Sequence, residues 1–144
     1  MNALQYLIIF LKQFEGCRLK AYQDIVGVWT IGYGETLGVV EGMEWTQEEA
    51  ERRLIIRAGY FLHQACLKCP QLFLEPPIRV AACASLEYNI GVGAFGASSV
   101  CRYTRRQEYN KAGASFLLWN KAGGRVVKGL TARRTKERFG YDNP

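Results

Sequence analysis

The chain has 144 residues, of which 49% are apolar and 22% charged, values that suit one domain with a hydrophobic core and exclude a disordered chain. Nineteen Lys and Arg against thirteen Asp and Glu give a net charge of +6, which predicts a polyanionic partner: nucleic acid, anionic lipid or an acidic cell-wall polymer. No apolar run approaches the roughly 20 residues that a membrane-spanning helix needs. The apolar run from Leu7 to Leu11 lacks the basic region and cleavage site of a signal peptide. We therefore expect a single domain, 1–144, made in the cytoplasm without stable membrane insertion.

The cysteine count is odd, so at least one thiol stays free in a monomer. Cys66 and Cys69 have the CxxC spacing, but no strand–helix–strand pattern precedes them, and His63 is the only histidine that could complete a zinc site. Buried or incidental thiols are the main interpretation, with a disulfide or a metal site as alternatives. We expect no metal and no cofactor.

The N-terminal third combines a helix with a small sheet. Apolar residues recur at helical spacing over residues 3–14, and Gly16 ends the pattern. Residues 17–36 are rich in β-branched and aromatic residues punctuated by glycines, which predicts a hairpin. With residues 25–27 as the turn, Tyr22 faces Thr30 and Asp24 faces Val28, so these side chains share one face.

The remainder of the chain predicts helices. Thr46 and Glu49 form a capping-box pattern at the start of the first of them. The helix opened by Pro76 and Pro77 is apolar almost all round, which indicates a central buried helix ended by Gly91 and Gly93. The predicted helices cover residues 47–63, 78–89, 98–106, 109–119 and 131–139. The fold class is α+β, mostly α, in two unequal lobes.

Two carboxyl groups lie where a solvated helix face would not put them. Glu15 ends the first helix, where the negative end of the helix dipole disfavours an ionised carboxyl and so favours a general acid. Asp24 shares a hairpin face with the Thr30 hydroxyl, and together these groups could hold a water. A frayed helix end and a turn-forming aspartate are the alternative explanation.

Three separated segments of the chain carry characteristic motifs. They are residues 15–24 with 27–34, residues 88–95 followed by Ser98 and Ser99, and residues 119–124 followed by Gly129, Leu130, Arg133, Arg134 and Glu137. In their residues and in their order, and over nearly the whole chain, these motifs resemble glycoside hydrolase family 24, the phage lysozymes.

The resemblance implies a lysozyme-like fold, with a small β lobe at about 17–36, a larger helical lobe and a cleft between them. It implies cleavage of the β-1,4 bond between N-acetylmuramic acid and N-acetylglucosamine in peptidoglycan, with inversion. Glu15 would be the acid, Asp24 would position water and Thr30 would orient that water. Tyr22 and Gly32 would contact substrate. A monomeric endolysin of this kind would accumulate in the host cytoplasm and reach the periplasmic side of the wall when a holin opens the membrane.

Other functions and two departures from the family pattern stay open. A lytic transglycosylase or a non-catalytic wall-binding module would share many of these residues. Residues 131–138 have the charge of a DNA-reading helix, but a solvated basic face with Arg133 and Glu137 paired explains them more simply, and we expect no nucleic-acid partner. Glu35 stands where family members often have His, so any ion pair of that His is absent, and Glu87 interrupts a stretch that is usually apolar.

Overall fold

The computed structural model describes residues 1–144 and consists mainly of helices. The helices are α1 (Ala3–Glu15), α2 (Gln47–Lys68), α3 (Pro77–Ile90), α4 (Val92–Ala97), α5 (Ser99–Arg105), α6 (Tyr109–Ser115) and α7 (Lys128–Asp142), with 3-10 turns at Pro70–Leu74 and Phe116–Leu118. The strands are β1 (Arg18–Gln23), β2 (Trp29–Gly32), β3 (Lys121–Ala122) and β4 (Arg125–Val126). The predicted α+β class, mostly α, is confirmed.

The first two strands form the predicted hairpin. They pair antiparallel with Tyr22 opposite Thr30, and the Asp24 amide bonds the Val28 carbonyl at 2.9 Å. Residues 43–45 lie beside β1 through an isolated bridge between Lys20 and Glu44, where the Trp45 amide donates to the Leu19 carbonyl at 2.8 Å. The pairing of Tyr22 with Thr30 confirms the register that was expected from a turn at residues 25–27.

Helix α3 is the centre of the helical lobe and packs against α1, α2 and α7. All its residues from Arg79 to Glu87 are buried, as the all-round apolar pattern predicts. Small residues such as Ala81 and Ala84 let the neighbouring helices approach closely on several sides. The helix thus reaches both the end of α1 and the inner face of α7.

Several predicted element ends are wrong by a few residues. Helix α2 continues to Lys68 rather than residue 63, and α7 begins at Lys128 rather than Thr131. Gly91 ends α3 as predicted, but Gly93 lies inside α4 and ends nothing. Tertiary packing extends these helices beyond their local signals.

The capping pattern at α2 is only half confirmed. The Thr46 hydroxyl accepts from the Glu49 amide at 3.1 Å, whereas the Glu49 carboxylate turns away to Arg52 and Arg53. A complete reciprocal box occurs instead at α1, between Asn2 and Gln5.

All five cysteines are free thiols, and every one except Cys17 is buried. The CxxC pair, Cys66 and Cys69, lies at the end of α2 without forming a disulfide. None of the helices combines the length and the apolar character required to cross a membrane.

Candidate active site

Glu15 lies at the last residue of α1 and faces the loop that follows β2. Its side chain is 18% exposed, and its Oε2 accepts a hydrogen bond from Arg133 Nη1 at 2.6 Å. Its Oε1 lies against Gly34, where a Cβ would come within 2.7 Å of it. Gly34 has φ +80°, so both the backbone and the space favour glycine there. The carboxyl group is therefore held from two sides by residues distant in sequence.

Arg133 links Glu15 to a buried polar network. The guanidinium of Arg133 donates to the Ser85 carbonyl at 3.1 Å and to Glu137 at 3.3 Å, and it lies 4.8 Å from the Phe14 ring. Every donor nitrogen of Arg133 therefore has a partner, and the side chain is 7% exposed. A guanidinium held at all three of its nitrogens restricts the orientation of Glu15.

Glu137 forms the centre of that network and is fully buried. It receives a hydrogen bond from the Ser85 hydroxyl at 2.5 Å and lies 2.7 Å from Arg134. Burial raises the pKa of Glu137, while the guanidinium groups of Arg134 and Arg133 act in the opposite direction. Arg134 in turn donates to the Asn89 side chain at 2.9 Å, which joins α7 to the end of α3.

The sequence interpretation of α7 as a solvated basic face is wrong for these residues. Arg133 and Glu137 do pair at i,i+4, but both are buried, as is Arg134. The resemblance indicated a packing role for the two arginines, yet no pattern along the chain indicated a contact between Arg133 and Glu15. The negative end of the α1 dipole and the positive Arg133 guanidinium both lie next to Glu15. Their electrostatic effects on its carboxyl group oppose each other.

Asp24 is held mainly by its own turn. Its Oδ1 accepts from the Val28 amide at 2.9 Å and from the Val26 amide at 3.0 Å. These bonds show that Asp24 stabilises the turn, and its part in the reaction stays a prediction. They leave Oδ2 as the oxygen that can meet a water or a substrate.

Thr30 and Tyr22 occupy paired positions on the hairpin. The Thr30 side chain is nearly buried and its hydroxyl donates to the Val28 carbonyl at 3.0 Å, so its lone pairs are left to accept. The ring of Tyr22 is covered by the Arg18 guanidinium at 4.2 Å. Their shared register places Thr30 two residue pairs away from the Asp24–Val28 position, on the same face of the hairpin.

Gly32 packs against the interior of the protein. It is buried with φ +64°, and a Cβ there would lie 2.7 Å from the Trp45 ring. Close approach of Trp45 is thus a sufficient reason for glycine at this position. Its assignment to substrate binding stays a prediction.

The two departures from the family pattern have different surroundings. Glu35 is buried and forms an ion pair with Arg57, at 3.4 Å, so this position carries an ion pair of its own. Burial raises the pKa of Glu35, and the nearby Arg57 and Arg53 lower it. Glu87 is fully buried with no hydrogen-bond partner for either oxygen, and burial raises its pKa to about 8.

The structure contains no group of three or more His, Cys, Asp or Glu side chains arranged to hold a metal ion. A cavity of about 410 Å³ lies beside the Glu15 network, between the end of α1 and the start of α7. Its lining includes Phe14, Leu130 and Arg133.

Comparisons with known proteins identify relatives over most of the chain. The family described as Phage lysozyme matches residues 12–137. The endolysin of Salmonella phage P22 is 38% identical over 89% of this chain and 89% of its own length. The SAR-endolysin of Enterobacteria phage P21 is 32% identical over 86% of this chain and 74% of its length. The endolysin of Bacillus phage B103 is 34% identical over 96% of this chain, which spans about half, 53%, of that relative.

The fold is shared with solved endolysin structures. The endolysin of Escherichia coli O157:H7 phage FAHEc1 superposes with a TM-score of 0.84 at 27% identity, covering 99% of this chain and 94% of the other. The mostly helical fold with a small N-terminal hairpin is thus that of the solved phage endolysins. The chain belongs to the phage lysozyme family, a family of peptidoglycan-hydrolysing endolysins.

Proposed function

We propose that this chain is an N-acetylmuramidase that hydrolyses the β-1,4 bond between N-acetylmuramic acid and N-acetylglucosamine in peptidoglycan. One catalytic domain, 1–144, carries the activity, with the β lobe at about 17–36. The observation that carries the proposal is the position of Glu15: its Oε2 is held by Arg133, while its Oε1 is free of hydrogen bonds beside Gly34. Membership of the phage lysozyme family supports the same function.

In this mechanism Glu15 is the general acid. A proton on Oε1 passes to the leaving glycosidic oxygen, while Oε2 keeps its bond to Arg133. Because Arg133 and Gly34 restrict the carboxyl group from two sides, the proton is presented in one direction. Fixing a reacting group in this way contributes to rate by orientation.

Asp24 and Thr30 supply the water. The Oδ1 of Asp24 is engaged by two backbone amides, so Oδ2 accepts the proton of the attacking water as the oxygen bonds to the anomeric carbon. The Thr30 oxygen accepts the second hydrogen bond of that water and orients it. Such an inverting pair of carboxyl groups is typically about 6.5–9.5 Å apart. Tyr22 and Gly32 contact the sugar from the hairpin.

The charge and the release route follow from the same proposal. A net charge of +6 draws a monomeric enzyme to the anionic peptides and polymers of the wall, with a rate that falls as salt increases. We propose synthesis in the host cytoplasm and holin-dependent release to the periplasmic side of the wall. The P21 relative is named a SAR-endolysin, so lysis in a host without the holin is the outcome that would contradict this route.

A digestion of purified peptidoglycan tests the activity and the reaction type together. Mass spectrometry of the products distinguishes a hydrolase, which leaves a reducing muramic acid, from a transglycosylase, whose anhydro product is lighter by one water. NMR of the first-formed anomer tests inversion. Binding to the wall without any product would instead support a non-catalytic module.

A further inference from the structure

The segment 33–35 is tied to the helical lobe on both sides of Gly34. The Tyr88 hydroxyl, on α3, donates to the Tyr33 carbonyl at 2.6 Å. On the other side of Gly34, the Glu35 carboxylate pairs with Arg57 of α2 at 3.4 Å. Both chain neighbours of Gly34 are thus anchored to helices, although Gly34 itself lies in a turn.

Gly34 is also the residue that limits where Glu15 can lie. The space for its missing Cβ is occupied by Glu15 Oε1, so backbone and carboxyl group are in close contact. Arg133 holds only Oε2. A shift of the segment would therefore rotate the carboxyl group about its bond to Arg133 and displace Oε1, the oxygen assigned to proton transfer.

We propose that Tyr88 is a positioning residue for the reaction: its hydroxyl holds the Tyr33 carbonyl, and through Gly34 this contact fixes the direction of Glu15 Oε1. This inference rests on the proposed function. The Tyr88 ring is itself supported, because it packs on Phe61 at 4.9 Å. The Arg57 guanidinium covers the same Phe61 ring at 5.1 Å, so both anchors of the segment contact one ring.

The hydroxyl is a dependable donor in this position. Burial raises the pKa of Tyr88, and the nearby Glu15 and Glu35 carboxylates act in the same direction, so the phenol stays protonated. The ring packs on Phe61, and the hydroxyl forms the hydrogen bond to the segment. Removal of the hydroxyl alone therefore separates positioning from packing.

Tyr88→Phe tests the proposal, with Tyr141→Phe as its matched control. Tyr141 is buried in α7, and its hydroxyl bonds Thr104 at 2.6 Å, so each variant loses one tyrosine hydroxyl bond and the two should lose similar thermal stability. On soluble peptidoglycan fragments we expect Tyr88→Phe to lower kcat about tenfold with KM unchanged, because orientation of Glu15 is lost. Tyr141→Phe should keep both constants.

A double variant supplies a readout that a merely structural role would not move. In the Glu15→Gln background, where no proton can be donated, Tyr88→Phe should cause no further loss of kcat. An additional tenfold loss there would overturn the proposal, as would equal kcat for Tyr88→Phe and Tyr141→Phe. Failure of Tyr88→Phe to fold would assign the hydroxyl to stability and overturn it too. A wild-type protein that leaves peptidoglycan intact would instead refute the proposed function.

Discussion

The surroundings of Glu15 and of Asp24 are built in opposite ways. Glu15 is held by Arg133, which lies 118 residues further along the chain, and by the backbone at Gly34. Asp24 is held by amides only two and four residues away. The first carboxyl group depends on the packing of α1, α3 and α7, and the second depends on one hairpin turn.

Because of this difference, substitutions around Glu15 and around Asp24 should affect the stability of the protein to different extents. Removing a partner of Glu15 disturbs a buried network of charges, which is costly because the remaining charges lose their compensation. Altering Asp24 disturbs only a turn that water can reach. The variants below test this contrast, from the largest expected effect to the smallest.

Glu15→Gln should lower the hydrolysis rate by about 100- to 10,000-fold, the usual contribution of a general acid. The amide oxygen can still accept from Arg133, so folding and wall binding should persist. The rate of dye release from labelled peptidoglycan measures the effect, with the exposed Glu41→Gln as control. A Glu15→Gln protein with near wild-type activity would remove Glu15 from the mechanism.

Arg133→Met should destabilise the protein by about 3–5 kcal/mol, because it leaves Glu15 unpaired and takes one of two guanidinium groups from Glu137. Lys136→Met, three residues further along the same helix at an exposed position, should cost no more than about 0.5 kcal/mol. Urea unfolding monitored by circular dichroism compares the two. Equal stability of these variants would show that the Glu15 side is not a cooperative network.

Asp24→Asn should slow hydrolysis about 100-fold, since a neutral amide is a poor base. Its unfolding free energy should change by less than about 1 kcal/mol, because the amide oxygen can still accept from Val26 and Val28. Asp24→Ala loses those bonds and should be less stable than Asp24→Asn. If Asp24→Asn were as destabilising as Arg133→Met, the contrast between the two sides would fail.

Glu87 is a fully buried carboxyl group with no hydrogen-bond partner. Its pKa is raised from 4.5 to about 8, so the folded state keeps a proton that the unfolded state releases. The contribution of that proton to the free energy of unfolding is fully present below pH 4.5. It is lost as the pH rises to about 8, by up to about 1.4 kcal/mol for each pH unit.

Glu87→Gln should remove this slope and leave the variant more stable than wild type at pH 8, with little difference at pH 4. Urea unfolding across this pH range measures it. Glu35 and Glu137 also have raised pKa values but remain in both proteins, so the difference between the two slopes isolates Glu87. Parallel slopes would refute the assignment.

Local signals in the sequence were enough for the hairpin and the central helix. The turn at residues 25–27 set the pairing of Tyr22 with Thr30, because side chains alternate along strands. The all-round apolar pattern of α3 predicted its burial correctly. Helix ends such as Lys68 and Lys128 were missed, since packing against neighbours extended the helices past their local stop and start signals.

The sequence by itself determined the helix and strand pattern that defines the fold class, and the turn around Asp24, because these depend on contacts within a few residues. Tertiary structure alone decided that Arg133 meets Glu15, that Gly34 confines the same carboxyl group and that Tyr88 reaches the segment beside it. Such contacts join distant parts of the chain, and their strength comes from the exclusion of water around them. Periodicity along the sequence does not indicate which charged side chains will be buried in contact with one another.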